Sequence, residues 1–257
     1  MTGSIKKLLY RTLPLEVYLR VVSHLFFELY YSGLGRGAAF EYPRFLRRLV
    51  RRGDVVLDIG ANLGYYSRII SGLVGSGGRV YAVEPVKPVL KVLGRNLRGC
   101  RNVEIVPFAL GREDGRVTMV NDSARVAGYM GTGQNYIPEN DADERRNEDM
   151  EFEVEMRRGS ELFAHLERLD FVKCDIEGYE AVVIPEMEAI IVKHLPIVLL
   201  ETGGANRRPM IELFRGWGYA GYVLDKGRLV SVMHAPERDI VFIPGHRHAE
   251  LKHLIVQ

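Results

Sequence analysis

Cysteine is scarce here. Cys100 and Cys174 are the two cysteines among 257 residues. They offer no spacing for a disulfide framework or a cysteine-rich zinc site, so reducing, cytoplasmic chemistry is the expected setting. Charge of one sign is equally lacking. The 35 Lys and Arg side chains against 33 Asp and Glu leave a formal charge of +2, and no whole-chain basic field calls for nucleic acid or an anionic membrane. A long apolar run is the third absence. Residues 13–31 come nearest, but Glu16, Arg20, His24 and Glu28 interrupt them and no small-residue cleavage site follows, which argues against both a transmembrane span and a signal peptide. Leu15, Leu19, Val22, Leu25, Phe26 and Leu29 fall on one helical face. That helix is expected to pack on the domain. An interfacial membrane helix is disfavoured because its polar face alternates in sign. The hydrophobic share of 47% and charged share of 26% exclude a disordered or filamentous chain.

What is present is an alternation. Residues 1–50 read as helical, with a short helix over 41–52 ending at Gly53. From Asp54 onward, β-branched apolar runs alternate with helical stretches. Val55-Val56-Leu57-Asp58, Val80-Tyr81-Ala82-Val83, Val103-Glu104-Ile105-Val106, Phe171-Val172-Lys173-Cys174 and Ile197-Val198-Leu199-Leu200 read as strands. Helices are predicted over 63–73, 86–97, about Ala189, and over 208–216. Continuous apolar strands separated by helices predict an α/β fold with a mostly parallel sheet covered on both faces. Segments 219–224, 229–233 and 240–243 read as strands at the far edge, antiparallel in part. Residues 116–120 and 151–156 look like a separate pair of strands. The polar stretch between them, 121–150, is a variable insertion and a candidate lid.

The first strand leads into Asp58-Ile59-Gly60-Ala61-Asn62-Leu63-Gly64. A glycine turn from a buried strand into a helix lets the backbone approach a ligand and presents free N–H groups. Glu84 closes the second strand, 20 residues beyond Gly64, where a carboxylate can accept hydrogen bonds from both hydroxyls of a ribose. A dinucleotide fingerprint would need glycine at Asn62 and at Tyr65, so it fails twice, and a nicotinamide oxidoreductase is disfavoured. An acid two residues before the first glycine, with Asn62 replacing the middle glycine, points to S-adenosylmethionine. Phe108 and Ala109 leave the third strand where an adenine ring would lie. Phe108 is equally well explained as core.

The stretches from Val56 to Ser67 and from Val80 to Pro85, then Ala109-Leu110-Gly111, and finally Val172-Lys173-Cys174-Asp175-Ile176-Glu177-Gly178-Tyr179-Glu180, resemble the FkbM family of S-adenosylmethionine-dependent methyltransferases over about residues 50–205. The resemblance implies a class I methyltransferase (Rossmann-like) sheet of about seven strands with the last antiparallel. It makes 51–257 the methyltransferase domain and 1–50 a helical extension. The implied activity is O-methylation of a hydroxyl on a sugar, glycan or secondary metabolite. One departure is visible. The family often has Thr-Leu-Asp before the fourth strand, whereas this chain reads Arg158-Gly159-Ser160-Glu161-Leu162 and lacks the aspartate.

An aliphatic hydroxyl needs a base or a metal to take its proton as the new bond forms. Asp175, Glu177 and Glu201 close the fourth and fifth strands and are the candidate catalytic acids. Lys173 alternates with Asp175 along a strand, so both point to one side and the ammonium can hold the carboxylate ionised. The bland alternative has Asp175 capping the next helix. No metal is expected, since Thr202-Gly203-Gly204 follows Glu201 where a further acid pair would stand. His234 is a weak candidate base; His246, His248 and His253 read as tail. The cofactor contacts expected are Asp58, Gly60, Asn62, Gly64, Glu84, Phe108 and Ala109. The expected partner is a small-molecule or glycan acceptor; nucleic acid is not, because charge is balanced and no Asn-Pro-Pro-Tyr-type motif occurs. N-methylation of a small amine and a non-catalytic S-adenosylmethionine-binding role are the competing readings.

Overall fold

The computed structural model describes residues 3–138, 149–234 and 239–256. Eleven strands run in chain order as β1 (Val55–Ile59), β2 (Arg79–Val83), β3 (Val103–Val106), β4 (Ala109–Gly111), β5 (Gly115–Asn121), β6 (Met150–Arg158), β7 (Phe171–Cys174), β8 (Ile197–Leu200), β9 (Tyr219–Asp225), β10 (Arg228–Ser231) and β11 (Ile240–Pro244). The main sheet has eight strands in the order β10-β9-β11-β8-β7-β1-β2-β3. From β3 to β8 its pairings are parallel, and β11 lies antiparallel between β8 and β9. Strands β7 and β8 are buried throughout, which is why β8 reads as an unbroken apolar run and β7 is interrupted by Lys173 alone.

The sheet's eight strands match the eight apolar segments read from the sequence, against the about seven that the family resemblance implies. The extra one is β10, joined to β9 by a tight hairpin in which Lys226 (φ 46°) and Gly227 (φ 78°) are both left-handed. Two positive-φ residues match the twist of a two-residue hairpin. Residues 115–121 and 150–158 do form a separate pair: β5 and β6 run antiparallel, and β4 joins them in a three-stranded sheet. Ala109 therefore opens a strand of this second sheet.

Helices α1 (Gly3–Thr12), α2 (Leu15–Tyr31) and α3 (Ala38–Phe45) precede β1, and α4 (Tyr65–Val74) and α5 (Lys87–Asn96) follow β1 and β2. The expected helix over 41–52 is shorter, ending as a 3-10 turn at Leu46–Arg48. The helix predicted after β7 is two, α6 (Glu180–Glu186) and α7 (Glu188–His194), and α8 (Gly204–Gly216) begins earlier than its apolar pattern suggests. Helix α2 packs on α5 and α4. Its Tyr18 and Leu19 are fully buried, in a cluster with Leu63, Val86, Val89 and Met130. No helix among the described residues is long and apolar enough to cross a membrane.

Leu19→Ala removes a side chain with no solvent exposure from the contact between the first helices and the sheet's own helices. It is expected to cost about 2–5 kcal/mol, read as a lowered midpoint of the single urea transition. An unchanged main transition would mean that residues 1–50 fold apart from the rest.

Candidate active site

Chain order reverses between β1 and β7, since β2 and β3 lie to one side of β1 and β7 and β8 to the other. In open α/β sheets, ligands bind outside the carboxyl ends of the strands at such a point. Asp58 and Lys173 are register partners on β1 and β7, so their side chains share a face. Both are buried. The Lys173 ammonium donates to the Gly60 carbonyl at 2.9 Å and meets Asp175 Oδ2 at 3.0 Å and Asp58 Oδ1 at 3.9 Å. It also sits over the Tyr66 ring, 5.3 Å from its centroid. Burial alone would lower the lysine's affinity for its proton; the charges of Asp175 and Asp58 outweigh it and hold that affinity above normal. Ser67 Oγ donates to the other Asp58 oxygen at 2.5 Å.

The glycine at the end of β1 has a reason that its neighbours in sequence conceal. A Cβ on Gly60 would stand 2.0 Å from the Asp175 carbonyl oxygen, and its φ is +76°. One on Gly64 would stand 2.9 Å from Leu93 Cδ1. Both contacts are with the chain itself, so these glycines let the β1 turn close onto β7 and α5, whatever ligand lies above.

A cleft opens over this turn. Gly60, Asn62, Glu84, Phe108, Ala109, Asp175 and Glu177 line it, whereas Asp58 lies beneath its floor and Gly64 and Glu201 stand outside the lining. Glu84 is almost wholly buried and accepts the Asn62 N–H at 3.1 Å on one oxygen and the Val86 N–H at 2.9 Å on the other. Burial raises its carboxyl to about 7, against the pull of these two N–H groups. Asn62 itself is left-handed (φ 53°) and accepts the Leu63 N–H at 2.7 Å. Opposite, Val83, Leu110, Met119 and Ile137 supply an apolar wall. Phe108 joins it, half-buried, with the Arg157 guanidinium over its ring at 5.4 Å.

At the other end stand the acids. Asp175, Glu177 and Glu201 each bring an oxygen within 4.8 Å of the others, close enough to hold a hard cation or to share protons. Their surroundings drive them apart. Burial disfavours the charge on Asp175, but Lys173 and a hydrogen bond from Glu201 hold its carboxyl below normal. Glu201 is raised, first by that hydrogen bond and then by burial. Glu177, in a left-handed turn (φ 56°), is raised to about 7 by burial and by the neighbouring charges of Asp175 and Glu180. Glu180 is buried and accepts the Ile176 N–H at 2.6 Å, so it, and not Asp175, ties the turn to the following helix.

Several residues at the site carry no clear sequence signal. Asp239 lies opposite Glu201, because β11 pairs Ile240 with Leu200; burial raises its carboxyl to about 6, with Asp175 adding to the effect. Thr132, Gly133 and Asn135 come from the insertion and cover the cleft. Gly133 approaches so closely that a Cβ there would be 3.5 Å from Asn62 Nδ2 and 3.6 Å from Glu177 Oε1. Residues 139–148 of the insertion, and the side chain of His234, lie outside the described residues.

A mostly parallel sheet in which β11 and the edge strand β10 run against the rest, and a cleft at its switch point with a buried carboxylate closing β2, define the class I methyltransferase architecture. Comparison with known proteins makes this specific. The methyltransferase FkbM domain matches residues 58–220, and the chain belongs to that family of S-adenosylmethionine-dependent methyltransferases. Among curated proteins it is similar to the protein-L-isoaspartate O-methyltransferases of Aeropyrum pernix, 35% identical over 111 residues (38% of this chain and 43% of that protein), and of Methanosarcina mazei, 31% identical over 108 residues (36% and 44%). The chain thus spans less than half the length of these relatives. Among solved structures it is similar to an FkbM methyltransferase from Methylobacillus flagellatus, with a TM-score of 0.47 and 14% identity over 92% of this chain and 57% of that one.

The cleft fits the family's cofactor. Each Glu84 oxygen takes one backbone N–H and keeps a second lone pair for a ribose hydroxyl. The apolar wall suits a planar ring. Lys173→Met would leave Asp58 buried beside an apolar chain, and loss of about 3–5 kcal/mol of stability is expected in chemical denaturation. Adding Asp58→Asn should recover part of that loss. Strict additivity of the two changes would show that the pair is not coupled.

Proposed function

We propose that this chain is an O-methyltransferase that uses S-adenosylmethionine to methylate a hydroxyl of a sugar, glycan or secondary metabolite in the cytoplasm. The observation that carries the reading is the cluster of Asp175, Glu177 and Glu201 beside the cofactor cleft, with each acid held in a different protonation environment. S-adenosylmethionine supplies an electrophilic methyl group. The oxygen–carbon bond forms as the carbon–sulfur bond breaks, and the hydroxyl proton must go to the protein. Glu177 lines the cleft and its carboxyl lies near 7, so a large fraction is ionised at neutral pH and that form is basic enough to accept the proton. Asp175 is a weaker base, because Lys173 stabilises its charge; it accepts a hydrogen bond and orients the acceptor. Glu201 holds Asp175 in place. The acids also favour a hydroxyl over an amine, since carboxylates stabilise the protonated amine, which has no free lone pair. Glu84 holds the ribose, Asn62 and the turn at Gly60 shape the cofactor's side of the cleft, and Phe108 and Ala109 face its ring. The free thiols of Cys100 and Cys174 accord with a reducing compartment. Balanced charge supports a small-molecule or glycan acceptor over nucleic acid.

Glu84→Ala should weaken S-adenosylmethionine binding in calorimetry about tenfold or more, the scale of lost hydrogen bonds to a charged group. Unchanged affinity would remove Glu84 from the ribose. Glu177→Gln should keep cofactor affinity and lower kcat by about 100- to 10,000-fold. Because the base works ionised, the wild-type rate should rise with pH through about 7 and level off above it, and the variant should lack that inflection. The same rate measured in EDTA is expected to be unchanged. Abolition by EDTA with recovery in Mg²⁺ would instead make the three carboxylates ligands of a hard cation.

A further inference from the structure

A second cavity, of about 670 Å³, lies between α2, α3 and the insertion's first turn. It shares Thr132 and Gly133 with the cofactor cleft. The wall between the two is thin at that point, since Gly133 backs directly onto Asn62 and Glu177. The cavity's sides are aromatic. Phe26 and Phe40 stack with ring centroids 4.9 Å apart, and Tyr66 reaches from α4. The Tyr66 hydroxyl makes no hydrogen bond among the described residues. Asp239 lines the cavity, opposite Glu201 in the β8–β11 register. Lys6 and Arg36 line it too. Lys6 lies over the Tyr129 ring at 5.3 Å, and among the described residues neither cation makes an ion pair.

The cavity therefore has two chemically different regions. At Asp239 it offers a carboxylate, which accepts hydrogen bonds from hydroxyl groups and repels anions; the Glu177 carboxylate lies across Gly133, in the neighbouring cleft. Lys6 and Arg36, without an ion pair among the described residues, offer positive charge, which attracts an anion. Aromatic faces between them suit the C–H face of a saturated ring.

We propose that this cavity is the acceptor site, and that its ligand is a polyhydroxylated ring bearing an anionic group, a phosphate or a carboxylate. The proposal rests on the methyltransferase reading given above and adds where the acceptor binds and what recognises it. The ring's hydroxyls meet Asp239 and Tyr66, the hydroxyl to be methylated points past Gly133 toward Glu177, and Arg36 and Lys6 take the anionic group. The helices of residues 1–50 then form half of the acceptor's binding surface.

The test uses the full chain with radiolabelled S-adenosylmethionine and a panel of hexose phosphates, pentose phosphates, uronic acids and the corresponding neutral sugars. Label is expected in an anionic sugar in preference to its neutral counterpart, and the phosphate and uronate arms identify which anion is read. Arg36→Gln should raise KM for that sugar about tenfold with kcat little changed. Ala39→Trp, which fills the cavity from α3, should abolish labelling. Both variants should bind S-adenosylmethionine in calorimetry like the wild type. Labelling of neutral sugars alone, labelling of none by protein that binds the cofactor, or an unchanged KM in Arg36→Gln overturns the proposal. Failure of the wild type to bind S-adenosylmethionine overturns the methyltransferase reading itself, which the calorimetry reports separately.

Discussion

The Lys173 ammonium is the point on which the site's geometry turns. Burying a cation costs several kcal/mol unless partners surround it, and here a backbone carbonyl, two carboxylates and an aromatic face do so. Each partner belongs to a different part of the site. The Gly60 carbonyl fixes the turn after β1, Asp175 begins the turn after β7, Asp58 lies in the sheet, and Tyr66 opens α4. One charge therefore ties together the glycine turn at the cleft and the loop that carries the acids. The glycine at position 60 belongs to the same constraint, because the two turns can approach only if no side chain separates them.

From this follows the division of labour among the acids. A carboxylate beside the lysine stays charged and becomes a poor base. One displaced by two residues, in a left-handed turn facing the cleft, is raised by burial and by the charges of Asp175 and Glu180, which together outweigh the lysine's pull. A third, just past the end of β8, shares a hydrogen bond with Asp175 and is held above its normal range by it and by burial. Pairs of acids whose environments push them apart are the usual mark of separated acid and base roles.

Much of this was readable from the chain alone. The β–α alternation was legible because strands buried on both faces must be apolar throughout, and the turn from Asp58 to Gly64 announces a crevice wherever a buried strand enters a helix. The Lys173–Asp175 pairing followed from strand alternation. Other features depend on register and on distance along the chain, which local pattern does not encode. Asp239 joins the acids only because β11 inserts antiparallel beside β8. Gly133 reaches Glu177 only because the insertion folds back over the cleft. The strand over residues 229–233 was legible, but the hairpin at Lys226 and Gly227 that folds it back on its neighbour depends on two left-handed residues that apolar pattern does not show. The service that Gly60 performs for the chain's own packing looks, in sequence, the same as room made for a ligand.

The pairing of Asn121 with Met150 places the two ends of the insertion side by side on neighbouring strands. A loop whose ends are already fixed together can change length at little thermodynamic cost, since closure entropy grows only with the logarithm of its length. Length is therefore what this segment tolerates and local sequence what it does not: Met130 is buried in the core and Gly133 and Ile137 line the cleft, so an engineer can lengthen the loop but cannot exchange it whole.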